Sequence, residues 1–147
     1  MPKDPHAAAN EAFIPTMREL VRTYQAFADY SAKHLRTLDL TPSQFDVIAT
    51  LGNTEGMKMT ELATRTLVTK GTLTGIIDRL EKKGLVTRIV PPDNRRSFII
   101  VLTPEGEKMF GFVFPAHIAH LKNRFDRLSS EQLAQIQQGL EALRQIF

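Results

Sequence analysis

Apolar residues at 13, 17, 20, 21, 24, 27, 28 and 35, with the small Ser31 in the same register, recur at helical spacing and predict a long first helix over 13–36. At ~1.5 Å per residue it would be about 36 Å long, with Pro15 either in its first turn or at a kink. Residues 1–9, with two prolines and three alanines, read as a flexible arm or a fraying start. Leu38-Asp39-Leu40 is a connector. Thr41-Pro42-Ser43-Gln44 then has the form of a capping box, and Phe45, Val47, Ile48 and Leu51 give the helix behind it an apolar face that ends at Gly52-Asn53.

From Met59 the pattern shortens. Thr60 is placed to cap a helix whose apolar face is Leu62, Ala63 and Leu67. Thr69 is placed to cap the next, whose apolar residues are Leu73, Ile76, Ile77 and Leu80, and Gly84 stands where a left-handed terminator belongs. Two β-rich runs follow, 85–90 and 98–102, separated by the polar tip Pro91-Pro92-Asp93-Asn94-Arg95-Arg96. Helix, turn, helix and arginine-tipped hairpin describe a winged helix-turn-helix. Thr103-Pro104 starts another helix, with a stripe at 109, 110, 113, 114, 118, 121 and 125 and an expected kink at Pro115. Ser129-Ser130-Glu131-Gln132 caps a last one carrying Leu133, Ile136, Leu140, Leu143, Ile146 and Phe147. The expected fold is mainly α with a small β-hairpin wing (α+β), one domain over 1–147, with the reader at 41–102 flanked by dimerisation helices at 10–37 and 104–147.

Charge sharpens this picture. Residues 57–96 hold nine Lys and Arg against four Asp and Glu, a net +5, whereas the 147-residue chain is only +3. The positive charge is concentrated on the proposed reader, as a phosphate-binding surface requires. There are no cysteines, so disulfides, thiolate zinc sites and thiol redox sensing are excluded. No apolar run approaches membrane-spanning length and no signal peptide is evident, so no membrane association and a cytoplasmic location are expected. No catalytic constellation is present: there is no glycine-rich phosphate loop, no nucleophile elbow and no paired carboxylates. The chain is expected not to be an enzyme and to need no cofactor.

In the proposed recognition helix, Gly71, Thr74 and Gly75 lie away from the apolar face, and two interior glycines cost roughly 1 kcal/mol each relative to alanine. Either they let the helix sit close to base edges, or they are relaxed surface or packing positions. Thr69, Lys70 and Thr72 suit phosphate contacts at a helix N-terminus. Asp78 is expected to pair with a nearby arginine, Arg79 or Arg88. His117 and His120, at i, i+3, are the one close histidine pair. Without an evident third ligand they read as helix residues beside an apolar stripe, with a metal-responsive regulator as the alternative. A winged helix used for protein contacts is a further alternative.

Leu40-Thr41-Pro42-Ser43-Gln44-Phe45, Thr60-Glu61-Leu62-Ala63, Thr69-Lys70-Gly71-Thr72-Leu73-Thr74, Asp78-Arg79-Leu80-Glu81-Lys82-Lys83-Gly84-Leu85-Val86, Asn94-Arg95-Arg96-Ser97 and Leu102-Thr103-Pro104-Glu105-Gly106 together resemble the multiple-antibiotic-resistance regulator (MarR) family of bacterial transcription factors. The resemblance implies a ligand-relieved repressor that binds a palindromic operator in double-stranded DNA as a homodimer. It implies DNA contacts from Thr60, Thr69, Lys70, Gly71, Thr72, Thr74, Gly75, Asn94, Arg95 and Arg96. The family places an Asp directly before the wing Arg-Arg pair; here Asn94 stands there and Asp93 lies one residue earlier. Either Asn94 and Arg96 or Asp93 and Arg95 fill the Asp-x-Arg places. The resemblance also implies a small aromatic or phenolic effector, for which Tyr24, Phe27, Tyr30, Phe45 and Phe112 are candidate pocket residues.

Overall fold

The computed structural model describes residues 4–92 and 97–147, with Lys70 described for its backbone only. It divides into two compact units, Met1–Pro42 and Ser43–Phe147.

The first unit contains α1 (Pro5–Ala9) and α2 (Ile14–Thr37). The short α1 replaces the expected arm. Asp4 accepts the His6 N–H, Pro5 occupies the first turn, and three alanines follow, so each local preference there is helical. In α2, Pro15 falls in the first turn, where its missing N–H costs nothing. Asp39 takes the left-handed conformation (φ 59°) and the Leu40 N–H reaches back to the Leu35 carbonyl, which closes the helix end. Only Ser31 and Leu35 of α2 are buried. Phe13, Met17, Leu20, Val21, Tyr24 and Phe27 stand exposed along it.

The second unit is built on α3 (Pro42–Leu51), β1 (Met57–Lys58), α4 (Met59–Arg65), α5 (Lys70–Lys82), β2 (Val86–Ile89), β3 (Ile99–Leu102), α6 (Pro104–Phe125) and α7 (Ser130–Arg144). The hairpin is part of a three-stranded antiparallel sheet in the order β1-β3-β2, with Val86 opposite Leu102, Ile89 opposite Ile99, and Met57 opposite Ile100. Strand β1 leaves no trace in the hydrophobic pattern because two residues carry no periodicity. Its pairing moves the start of α4: Lys58 is the N-cap, Met59 begins the helix, and Thr60 lies inside it rather than capping it. The core holds Val47, Ile48 and Leu51 of α3, Leu62 of α4, Leu73, Ile76, Ile77 and Leu80 of α5, and Val86 and Ile100 of the sheet. Leu67 is not on the α4 face; that helix ends at Arg65, and Leu67 is exposed.

Two residues end α3 for different reasons. Asn53 adopts the left-handed conformation (φ 58°), whereas a Cβ on Gly52 would lie 2.2 Å from the Phe110 ring. Thr103 caps α6 by accepting the Gly106 N–H, and its hydroxyl donates to the Gly84 carbonyl. The α6 helix continues through Pro115. Ser129 and Gln132 form the expected reciprocal capping box of α7, which nevertheless buries none of its residues.

Candidate nucleic-acid interface

Helix α5 sorts its residues by face. Leu73, Ile76, Ile77 and Leu80 are buried, and Gly71, Thr72, Thr74, Gly75, Asp78 and Arg79 are exposed. The helix packs inward on α4 and β2. Added Cβ atoms at Gly71 and Gly75 would have nothing within 4 Å, so these glycines serve no packing inside the described chain. The Thr69 carbonyl accepts from the Thr72 and Leu73 N–H groups, while its hydroxyl donates to the Thr72 hydroxyl (3.0 Å) instead of capping the backbone. The first turn of α5 therefore presents N–H groups, two hydroxyls and an open glycine, a set of donors suited to an anion. Thr60 is exposed on α4, its carbonyl taking the Thr64 hydroxyl. Asn94, Arg95 and Arg96 at the wing tip lie outside the described residues, as does the Lys70 side chain.

The end of α5 is sealed as its sequence suggests. Gly84 takes φ 76°, its N–H goes to the Glu81 carbonyl, and the Leu85 N–H goes to the Leu80 carbonyl. The chain then turns directly into β2. Arg88 on that strand reaches back to the helix, with Nη2 2.7 Å from Asp78 Oδ1 and Nη1 2.6 Å from Glu81 Oε1. Its guanidinium also lies 5.5 Å from the centre of the Phe98 ring. The hydrogen bond to Asp78, reinforced by the charge of Glu81 and opposed by partial burial, raises the Arg88 pKa further, so the clamp stays cationic. It neutralises two carboxylates that would otherwise repel phosphates and ties the wing strand to the helix. Of the two arginines the sequence offers Asp78, the fold selects Arg88, and it adds Glu81 and Phe98, which sequence reasoning misses. Asp46 of α3, also missed, accepts the Leu67 N–H in the α4–α5 turn at 2.7 Å. A bond spanning that much chain leaves no local trace in sequence.

Of the candidate effector residues, Phe45 joins an aromatic group in the second unit. Its ring meets His117 edge-on at 4.7 Å and stacks with Phe114 at 6.3 Å, and Phe114 stacks with Phe110 at 5.3 Å. Phe112 stands two-thirds exposed on α6 and does not join it. On α2, Tyr24 and Phe27 are exposed and Tyr30 is half-buried. His117 is buried, whereas His120 is half-buried. Among the described residues, no three His, Cys, Asp or Glu side chains come together to hold a metal ion, and no helix is long and apolar enough to cross a membrane.

Known proteins share this geometry. Residues 40–98 match the model of the MarR family. The HTH-type transcriptional regulator FarR of Neisseria gonorrhoeae is 30% identical over 105 residues, 71% of this chain and 67% of that one. The crystal structure of AbsC, a MarR family transcriptional regulator from Streptomyces coelicolor, superposes with a TM-score of 0.81 at 28% identity, covering 88% of this chain and 90% of that one. BpsR of Bordetella bronchiseptica, whose DNA binding is described as regulated by 6-hydroxynicotinic acid, shares the fold at 21% identity, with a TM-score of 0.79 and 98% coverage of both chains.

Proposed function

This chain belongs to the MarR family of DNA-binding transcription regulators, and we propose that it works as a homodimeric repressor of a palindromic operator, released by a small aromatic ligand. It is a binding protein, not an enzyme, and its place of work is where the chromosome lies, in the cytoplasm. The observation that carries the reading is the outer face of α5: small at Gly71, Thr74 and Gly75, open at both glycines, and backed by a continuous aliphatic face. Such a helix enters a major groove first-half foremost, with Thr69, Lys70 and Thr72 on phosphates and Gly71, Thr74 and Gly75 against base edges. Thr60 and the wing residues Asn94, Arg95 and Arg96 extend the interface to flanking phosphates and the minor groove.

Dimerisation rests on the apolar residues that α2 and α7 leave in water; two heads one DNA turn apart, ~34 Å, read a palindrome. The effector reading keeps Tyr24, Phe27, Tyr30, Phe45 and Phe112 as candidates and is supported by the aromatic group around Phe45 and by the hydroxylated aromatic acid that regulates BpsR.

Lys70→Ala tests the phosphate contact. Fluorescence anisotropy against the promoter upstream of its own gene, over a salt series, should show similar weakening on promoter and random DNA. The slope of log K against log salt should become shallower by about 0.9 for each phosphate that the lysine no longer neutralises. An unchanged slope removes Lys70 from the phosphates. Gly71→Ala and Gly75→Ala test the groove contact. Each should stabilise the fold by up to about 1 kcal/mol in urea denaturation, because alanine meets no neighbour and removes the helix cost of glycine. Each should also weaken operator binding, because the new methyl occupies the approach to the bases. Stabilisation with affinity unchanged would place these glycines away from DNA.

A further inference from the structure

The α4–α5 turn holds out a side chain that the core does not use. After Arg65 the chain runs extended at Thr66 (φ −85°, ψ 165°), and extended backbone sends successive side chains to opposite sides. Thr66 turns inward and is 6% exposed; Leu67 turns outward and is 95% exposed. Ile89 and Val90, the other exposed large apolar residues described in the winged region, reach only 48% and 55%. A single exposed leucine is ordinary on a protein surface. This one is held in place: Asp46 Oδ2 takes its N–H at 2.7 Å, the length of a charge-assisted bond. With Thr66 packed inside and the Leu67 N–H tied to α3, the turn cannot roll over to bury the leucine. The side chain stands two residues before the N-cap of α5, next to the turn where the Thr69–Thr72 hydroxyl pair and the open Gly71 lie.

We propose that Leu67 is a specificity-determining residue, set by Asp46 to press on a thymine 5-methyl group in the major groove of the DNA duplex. The thymine methyl is the apolar feature of the major groove and distinguishes T·A from the other pairs. Contact with it removes the leucine from water without neutralising a phosphate. It therefore adds affinity without releasing counterions. A polar or charged side chain at 67 would add a non-selective contact; leucine adds a selective one. Asp46 acts through Leu67 and is a positioning residue. The inference rests on the reading that α5 enters the groove by its N-terminal half.

The test is Leu67→Ala in the full chain. Anisotropy is measured on the operator, on random duplex, and on operators in which each thymine is replaced in turn by deoxyuracil, all over a salt series. Leu67→Ala should bind the operator about tenfold more weakly, bind random DNA as before, and keep both the salt slope and the melting temperature of the wild type. One deoxyuracil replacement should cost the wild type a similar factor and cost the variant nothing. A tenfold loss that no single replacement reproduces overturns the inference, because a sugar contact carries no sequence information. Asp46→Ala should show part of the same selective loss and Asp46→Asn, which keeps an acceptor, should restore it. A Leu67→Ala protein that binds the operator as tightly as wild type overturns the inference and leaves the groove-reading helix standing. Equal losses on both DNAs with a lower salt slope also overturn it. Wild-type protein that fails to distinguish operator from random DNA overturns both readings.

Discussion

Replacing Ile136 and Leu140 with glutamate should yield a folded monomer that binds the operator at least about 100-fold more weakly than wild type. Helix α7 is the reason. It is a 15-residue helix with a complete capping box, yet it buries none of its own residues, and Leu133, Ile136 and Leu140, with Ile146 just beyond it, are all exposed. Isolated helices of ~12–15 residues are marginal in water, so a helix of this length needs an apolar partner to be worth forming. The same holds for the row Phe13, Met17, Leu20, Val21, Tyr24 and Phe27 on α2. In the proposed homodimer, a second copy of the chain supplies a matching apolar surface. Two carboxylates placed in that seam would have to be desolvated unpaired, which the association cannot sustain. The reader, whose core lies among α3, α4, α5 and the sheet, does not use these positions and should keep its fold. Without the second head, the effective-concentration gain of a linked pair disappears, typically 10²–10⁴-fold. Sedimentation velocity and anisotropy on the same samples decide the matter. A variant that remains dimeric, or a monomer that binds as tightly as wild type, contradicts the assignment of α7 to the dimer seam.

Gly106→Ala should cost about 3 kcal/mol of stability, the upper range for overpacking. A Cβ there would lie 2.0 Å from the Leu85 carbonyl oxygen and 3.2 Å from Leu102 Cβ. The Leu85 carbonyl cannot retreat, because it accepts the Thr103 N–H at 3.0 Å, and Thr103 is also bonded to the Gly84 carbonyl. The junction of α5, the wing and α6 is locked at one point, and a methyl group forces α6 off it. Gly71→Ala in α5 is the control: nothing lies within 4 Å, and alanine should be neutral or stabilising. Urea denaturation of the two variants should separate them by the full difference. A Gly106→Ala protein within about 0.5 kcal/mol of wild type would show that the junction can give.

The parts of this molecule legible in its sequence are those decided within one or two helical turns. The steps of three, one and three from Leu73 to Leu80 place four side chains in the core, and all four are there. Gly84, Thr103 and Ser129 act through neighbours three to five residues away, and their roles follow from local rules. Asp78 is legible as a residue needing a cation because it stands among basic neighbours, and Arg88 supplies it. What sequence conceals is decided across the fold. Thr60 fits a capping pattern, but β1 pairs with β3 and draws the start of α4 back to Met59. Leu67 continues the α4 spacing, but Asp46 holds the turn open and the chain leaves the helix before reaching it. Residues 1–9 look featureless only until Asp4 and Pro5 are seen as a helix start.

The most direct test of site-specific reading by α5 is selection of binding sites by the purified protein from a pool of randomised duplex DNA, at ~0.15 M salt, where specific and non-specific affinities separate by 10³-fold or more. One enriched motif is predicted, an inverted repeat whose half-sites are centred ~10 base pairs apart, matching two α5 helices one DNA turn apart. A pool that returns without an enriched motif, its bound fraction falling with salt alike for all sequences, would contradict it.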